Sequence, residues 1–212
     1  MLDKQTMVTA ENALPGRDVP MTVEDTHFVN QSSLSAKPTA DQQQILIGMG
    51  CFWGAERLFW GLEGVVSTSV GYSGGFTPNP TYEEVCTGQT GHTEVVRVIY
   101  DPSVLPLKKL LNHFWERHNP TQGMRQGNDL GTQYRSALYV FNETQKEIAE
   151  QSKAEYQSLL SEQEQALITT EILPAGPYYF AETYHQQYLA KNPEGYCGLG
   201  GTGVCFPPSL NQ

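Results

Sequence analysis

The chain has 212 residues, of which 39% are hydrophobic and 17% are charged, enough for one domain with a sizeable core. Its net charge of −10 argues against a protein that binds nucleic acid through the phosphate backbone. The N-terminal residues lack the apolar stretch of a secretory signal, and no apolar run is long enough to span a bilayer. We therefore expect a cytoplasmic protein with no membrane association.

The chain divides into an arm and a body. Residues 1–43 are polar and rich in turn-forming residues, which indicates an irregular N-terminal arm. Residues 44–212 are expected to form a single catalytic domain, which includes a glycine-rich, cysteine-bearing tail at 192–212. Nothing in the sequence suggests a sizeable interface, so we expect a monomer.

The body begins with an apolar run at Gln44–Gly50, which predicts a buried strand, followed by helical spacing of apolar residues at 52–62. Further strands are predicted at 64–72, 93–101, 133–141 and 166–173, and further helices at 106–118, after the Asn142–Gln145 capping pair and at 179–192. The order β-α-β-β-α-β predicts an α+β domain with a ferredoxin-like split βαβ core.

Cys51 stands where the first strand becomes a helix. Free N–H groups and the helix dipole at that place favour an anion, so we expect a lowered thiol pKa and a nucleophile. Gly50 and Gly54 allow a tight turn and the approach of a substrate, and Phe52 and Trp53 are typical of a pocket wall. The alternative is a buried cysteine that caps a core helix.

A nucleophilic cysteine suits two kinds of enzyme. A hydrolase needs a histidine base, for which His92 and His185 are candidates. A redox enzyme needs a second thiol, and the glycine-rich tail supplies Cys197 and Cys205. We favour redox chemistry, and a third hypothesis is a non-catalytic redox switch.

The remaining cysteine, Cys86, is assigned to packing, with a role as a resolving thiol as the alternative. The chain has four cysteines and no C-x-x-C pair, so neither a disulfide scaffold nor a structural zinc site is supported.

Four polar residues are candidates for contact with a substrate. Glu94 begins a strand and shares its face with apolar residues, so burial should raise its pKa and make it a general acid. Tyr82, Asp129 and Tyr134 lie in or beside two glycine-rich loops, and loops on a rigid scaffold often carry sites. Each could equally be structural.

Four motifs, taken together and in order from about Ile45 to Cys205, resemble those of the A-type peptide methionine sulfoxide reductases. They are GCFWG at 50–54, GYSGGFTPNPTYEEVCTGQTGHTEVV at 71–96, GNDLGTQYRSALY at 127–139 and NPEGYCGLGGTGVC at 192–205. The four motifs together are highly specific for this family, although some members have a single resolving cysteine instead of two in the tail.

The resemblance implies a thioredoxin-dependent reductase of methionine-S-sulfoxide, free and in proteins, that needs no metal or organic cofactor. Cys51 would attack the sulfoxide sulfur and become a sulfenic acid, Cys197 would form a disulfide with it, and Cys205 would exchange to a 197–205 disulfide that thioredoxin reduces. The remaining roles implied are substrate binding and activation: Phe52 and Trp53 would hold the S-methyl group, and Glu94, Tyr82 and Tyr134 would bond the sulfoxide oxygen, with Asp129 assisting. Glu94 would be the proton donor.

Overall fold

The computed structural model of the protein describes residues 3–207. The first two residues of the predicted arm and the last five of the predicted tail lie outside this range.

A six-stranded sheet organises the described residues into a mixed α/β fold. Its strands are β1 (Gln43–Met49), β2 (Val65–Ser73), β3 (Thr93–Tyr100), β6 (Ser136–Val140), β7 (Glu171–Pro174) and β8 (Tyr179–Phe180). They lie in the order β7-β6-β1-β3-β2-β8, and all neighbours are antiparallel except β6 and β7. A separate hairpin joins β4 (Arg125–Gln126) and β5 (Asp129–Leu130). The sequence analysis did not predict this hairpin.

Within residues 3–207, five α-helices accompany the sheet: α1 (Phe52–Trp60), α2 (Tyr82–Cys86), α3 (Leu107–Arg117), α4 (Glu143–Glu162) and α5 (Tyr188–Lys191). The predicted cap of α4 is confirmed, since the Asn142 side chain accepts a hydrogen bond from the Gln145 N–H. In α2, Thr81 and Glu84 form a reciprocal capping box that stabilises this very short helix.

The core lies mainly on one face of the sheet. Ile45 and Ile47 of β1, together with Val96 and Val98 of β3, are fully buried in one cluster with side chains of the longer helices. Leu46 points to the other face, where a smaller cluster forms. The alternation follows from the two-residue period of a strand, which also sends Glu94 to the helix face of β3.

The predicted last helix at 179–192 is wrong over most of its length. Its first two residues are β8, which pairs with β2, and only Tyr188–Lys191 are helical. Gln187 has a left-handed backbone with φ 49°, and the side chain of Gln186 bonds the backbone of Val70 in both directions. These tertiary contacts outweigh the helical pattern of the sequence.

The fourth and fifth predicted strands also begin later than expected. Residues 132–134 form a 3-10 turn, so β6 starts only at Ser136, and β7 starts at Glu171. The described part of the arm contains a 3-10 turn at Ala10–Asn12 and one isolated bridge between Thr26 and Ser33. No helix in residues 3–207 is long and apolar enough to cross a membrane.

Candidate active site

Cys51 lies at the end of β1 and is the N-terminal cap residue of α1. The turn depends on Gly50, whose φ of +91° disfavours any side chain and whose Cβ would approach Gln126 to 2.6 Å. The cysteine is a free thiol of intermediate burial. The predicted position at the strand-to-helix turn is therefore confirmed.

The expected lowering of the Cys51 pKa is wrong. Backbone N–H groups of Trp53 and Gly54 do lower the pKa, but burial raises it more, and the charge of Glu94 raises it further. The pKa of Cys51 is thus above its ordinary value. Helix-start electrostatics alone do not activate this thiol.

Glu94 carries the clearest electrostatic signature of the site. Its carboxyl accepts hydrogen bonds from the Phe52 N–H at 3.0 Å and from the Gln133 side-chain amide at 3.3 Å. Burial raises the pKa of Glu94 to about 8, although both hydrogen bonds pull it down. At neutral pH the carboxyl is therefore mostly protonated, as the sequence predicted from its apolar strand face.

Tyr82 and Tyr134 are brought to the same place by different loops. Tyr82 opens α2, and Tyr134 ends the 3-10 turn at 132–134. Burial raises the pKa of both phenols, and the charge of Glu94 is the second cause in each case. Both hydroxyls consequently stay protonated near the Glu94 carboxyl, and that of Tyr82 is hydrogen-bonded to the Cys86 thiol.

Asp129 lies in the β4–β5 hairpin at the rim of the site. Its charge contributes to the raised pKa of both Cys51 and Glu94. The Tyr196 hydroxyl of the tail donates to its carboxylate at a long 3.4 Å. Asp129 therefore belongs to the acidic surroundings of the thiol.

Phe52 and Trp53 form an apolar wall, but they are not equivalent. Phe52 is 1% exposed, so it lies beneath the surface, whereas Trp53 is half-buried. The Trp53 ring stacks on Tyr188 with centroids 3.8 Å apart. Tyr188 therefore supports the wall, a contact that the sequence analysis missed.

His185 is the centre of this aromatic cluster. The Trp53 indole N–H donates to its Nδ1 at 2.9 Å, and its ring lies 5.1 Å from Phe52 and 4.5 Å from Tyr82, centroid to centroid. In the neutral ring the proton must then sit on Nε2, because Nδ1 is accepting. Burial lowers the pKa of His185 to about 4, which keeps the ring neutral.

The two histidines do not fit the hydrolase hypothesis. The only ring lone pair of neutral His185 is engaged by Trp53. In His92, Nδ1 accepts the Gly75 N–H and the protonated Nε2 donates to the Thr77 carbonyl. Neither ring is free to act as a base toward Cys51, so both candidates for that role are wrong.

A buried carboxyl in α1 explains how His185 is positioned. Glu56 accepts hydrogen bonds from the backbone and side-chain amides of Gln187, and from the Thr68 hydroxyl. These bonds hold Gln187 in its left-handed conformation and fix the segment that carries His185 and Tyr188. Helical spacing in the sequence gave no signal for this contact.

Cys197 already lies against α1. Its Sγ would be 2.9 Å from a Cβ built on Gly54, in the first turn after Cys51. Gly54 is therefore needed for this close approach of the tail to the helix. The tail thus places Cys197 beside the helix that Cys51 caps.

Cys205 is exposed and sits between two anchored neighbours. The Tyr156 hydroxyl donates to the Val204 carbonyl, and the Phe206 N–H donates to Glu116. Both flanking side chains are buried. The tail is thus attached to α1 near Cys197, and to α3 and α4 on either side of Cys205.

Cys86 borders the site without lying in its centre. The Gln133 amide donates to Cys86 Sγ at 3.5 Å and, with the same nitrogen, to Glu94. Gln133 is 2% exposed and was not predicted as a site residue. Among residues 3–207, no group of three or more potential protein ligands is arranged to hold a metal ion.

The chain matches a known protein family in sequence. The family model "Peptide methionine sulfoxide reductase" matches residues 43–202. The chain is 79% identical over 208 residues to the peptide methionine sulfoxide reductase MsrA of Vibrio cholerae serotype O1, which covers 98% of each protein.

Two solved structures are similar in fold. Methionine sulfoxide reductase A of Corynebacterium diphtheriae has a TM-score of 0.85 and 47% identity, covering 91% of this chain and 93% of that one. Reduced Mxr1 from Saccharomyces cerevisiae has a TM-score of 0.72 and 36% identity, covering 77% of this chain and 93% of that one.

Proposed function

The chain belongs to the peptide methionine sulfoxide reductase family, and we propose that it reduces methionine-S-sulfoxide, free and in proteins, through attack of Cys51 on the sulfoxide sulfur. The observation that carries this proposal is the neutral carboxyl of Glu94 beside the nucleophile. Because its pKa is raised to about 8, the Glu94 carboxyl can act as an acid at neutral pH toward a sulfoxide oxygen bound beside it.

The first step transfers one oxygen atom. The Cys51 sulfur bonds to the sulfoxide sulfur and the sulfoxide oxygen is protonated. The hydroxyl then passes to the Cys51 sulfur as the sulfur–oxygen and sulfur–sulfur bonds to the substrate sulfur break, which leaves a sulfenic acid on Cys51 and releases methionine. One thiol and one sulfoxide become one sulfenic acid and one thioether, so atoms and electrons balance. The proton lost by the Cys51 thiol returns to Glu94 and replaces the one that Glu94 gave to the sulfoxide oxygen.

Activation of the substrate compensates for the high pKa of the thiol. Negative charge grows on the sulfoxide oxygen during attack, and donors already aimed at it lower the barrier. Glu94 supplies the proton, and the hydroxyls of Tyr82 and Tyr134 supply hydrogen bonds. General-acid help of this kind contributes roughly 10²–10⁴-fold.

The apolar wall selects the methyl side of the substrate. Trp53 and Phe52 would contact the S-methyl group, while the oxygen points to Glu94. Exchanging the positions of oxygen and methyl, as in the R epimer, would place a polar atom against two rings. This supports preference for the S epimer.

Recycling proceeds through the tail. Cys197 condenses with the Cys51 sulfenic acid and releases water, and its position beside Gly54 supports this order. Cys205 then attacks the disulfide, restores the Cys51 thiol and leaves a 197–205 disulfide. We assign its reduction to thioredoxin, since a disulfide next to an exposed sulfur is accessible to a protein dithiol.

The broader assignments form part of the same proposal. Strand order β6-β1-β3-β2, with a helix in each crossover, supports a ferredoxin-like split βαβ core. We propose one catalytic domain over 44–212 with an arm at 1–43. It acts as a monomer in the cytoplasm and uses no metal or organic cofactor.

The proposal is tested by counting free thiols with each sulfoxide epimer in the absence of reductant. With the S epimer, the first methionine formed should coincide with the loss of two thiols per chain, and the R epimer should cause no loss. Thiols that stay constant while the S epimer is consumed would contradict the proposal. So would thiol loss without methionine, which is the behaviour of a non-catalytic redox switch.

A further inference from the structure

The N-terminal arm crosses both loops that carry the site tyrosines. We call residues 3–17 the strap. The Lys4 carbonyl accepts a hydrogen bond from the Thr132 N–H at 2.8 Å, at the start of the 3-10 turn that ends in Tyr134. The strap therefore supplies an acceptor to a turn that has no side-chain cap of its own.

Lys4 also lies between the two loops. A Cβ built on Gly88, just after α2, would meet the Lys4 backbone at 3.4 Å, and one built on Gly131 would meet it at 3.6 Å. Both glycines have positive φ. One strap residue thus touches the end of the Tyr82 helix and the start of the Tyr134 turn.

The other end of the strap secures the chain before α2. Arg17 forms an ion pair with Glu84 at 2.7 Å and donates to the Asn79 carbonyl at 2.9 Å. The Asn79 side chain in turn donates to the Arg17 carbonyl at 2.7 Å. Glu84 also caps α2 by accepting the Thr81 N–H. Arg17 therefore supports the capping box that places Tyr82 at the helix start.

The middle of the strap joins the same loop at two points. The Leu14 N–H donates to the Gln89 carbonyl, and the Leu14 carbonyl accepts from the Thr77 hydroxyl. Thr77 precedes α2 and Gln89 follows it. The helix that carries Tyr82 is thus attached to the strap on both sides.

The strap lies outside the part of the chain that the family model matches, residues 43–202. The strap therefore adds contacts to a region that the family model covers without it.

We propose that the strap is a positioning element for the proposed reduction, with Arg17 and the Lys4 carbonyl as its positioning groups. It holds the hydroxyls of Tyr82 and Tyr134 at the separation that the sulfoxide oxygen requires. The physical reason is that both tyrosines lie on short turns rather than on the sheet. Donors must be placed before the reaction if they are to stabilise growing charge without reorganisation.

The test measures the rate at which the first methionine per chain forms, by rapid quench at saturating methionine-S-sulfoxide and without reductant; this is the single-turnover rate. Variants are Arg17→Ala, Arg17→Lys and deletion of residues 1–8, which removes Lys4. Arg17→Ala and the deletion should lower the single-turnover rate about 10-fold or more, since small misplacement of catalytic groups is costly. Arg17→Lys should recover part of the loss because it keeps the ion pair with Glu84.

Two controls separate positioning from general destabilisation. Asn30→Ala removes an arm contact to the Val66 carbonyl, away from both loops, and should leave the rate unchanged. The alkylation rate of Cys51 by iodoacetamide, followed on the peptide that contains it, should stay at the parent value in Arg17→Ala. Alkylation uses the thiol but no donor to an oxygen.

The inference is overturned if Arg17→Ala has the parent single-turnover rate, or if its alkylation rate falls in parallel. If the deletion does not fold, Arg17→Ala alone decides. A parent chain that forms no methionine would instead refute the proposed function.

Discussion

The surroundings of Cys51, which form the proposed substrate pocket, and the cysteine tail differ sharply in how they are held. Around Cys51, fully buried groups such as Phe52, Glu94 and His185 are fixed by hydrogen bonds and ring contacts. Residues 192–207 contain no helix or strand, and Cys205 is exposed between two anchors. The two regions meet where Cys197 touches α1.

The difference corresponds to two kinds of chemistry. Stabilising charge on a sulfoxide oxygen requires donors fixed in a site of low dielectric. Thiol–disulfide exchange requires sulfurs that can reach one another and then a partner protein. Substitutions in the pocket should therefore affect the first turnover, and substitutions in the tail should affect only later turnovers.

The largest effect is expected for Cys51→Ser. Methionine formation should fall by roughly 10⁴-fold or more, because the serine hydroxyl is a far weaker nucleophile at neutral pH and no histidine is free to activate it. Methionine release with excess dithiol is the measurement. Appreciable release would show that another residue attacks the sulfoxide.

Cys197→Ser should separate the two regions. The first methionine should form at the parent rate, whereas steady-state turnover with thioredoxin should be lost because the sulfenic acid on Cys51 has no resolving thiol. Rapid-quench measurement of methionine checks the rate of the first turnover, and chemical trapping of the sulfenic acid on Cys51 checks that it is not resolved. Cys86→Ser is the matched control and should turn over like the parent, whereas loss of its turnover would make Cys86 a resolving thiol.

Substitutions of Glu94 test the acid. Glu94→Ala should lower the first-turnover rate by about 10²–10⁴-fold, and Glu94→Gln should lose less because its amide still donates a hydrogen bond. The pKa of Glu94 is raised to about 8, so the acid is present below that pH and is lost as pH rises through it. The first-turnover rate of the parent should therefore decrease as the pH rises through about 8, and this alkaline decrease should be absent in Glu94→Gln.

The alkaline decrease should be measured on the first turnover, since recycling has its own pH dependence. If Glu94→Gln kept the parent pH profile, Glu94 would not be the proton donor. If Glu94→Ala kept the parent rate, substrate activation by this residue would be excluded.

The smallest effect is expected at His185. His185→Leu leaves the Trp53 indole N–H without its acceptor, so the ring should lose its fixed orientation. We expect KM for methionine-S-sulfoxide to rise roughly 5–10-fold, the usual consequence of one lost hydrogen bond, with little change in the alkylation rate of Cys51. A KM equal to that of the parent would show that stacking on Tyr188 alone orients the wall.

Much of the fold followed from local pattern. Alternating or continuous apolar residues predicted the central strands, and the Asn142–Gln145 pair predicted the start of α4. The last predicted helix was wrong because Gln186 and Gln187 bond to β2 and α1, which are more than 100 residues away in the chain. The hairpin at Asp129 was missed because two-residue strands have no detectable period.

The site divides in the same way. Glu94, Tyr82 and Tyr134, which were named from a strand face and from two loops, lie close to one another, since the charge of Glu94 raises the pKa of both tyrosines. Gln133, Glu56 and Tyr188 were not predicted, because each acts through a contact between distant segments. His185 was named, but for a role that its bond to Trp53 excludes.

The sequence by itself determined which groups could react: a thiol at a strand end, a carboxyl on an apolar face and two further thiols in a glycine-rich tail. Only the tertiary structure decided their protonation. Burial keeps Glu94 an acid and also raises the pKa of Cys51, against the expectation from its helix position. Local pattern specifies chemical type, whereas desolvation depends on everything that packs around a group.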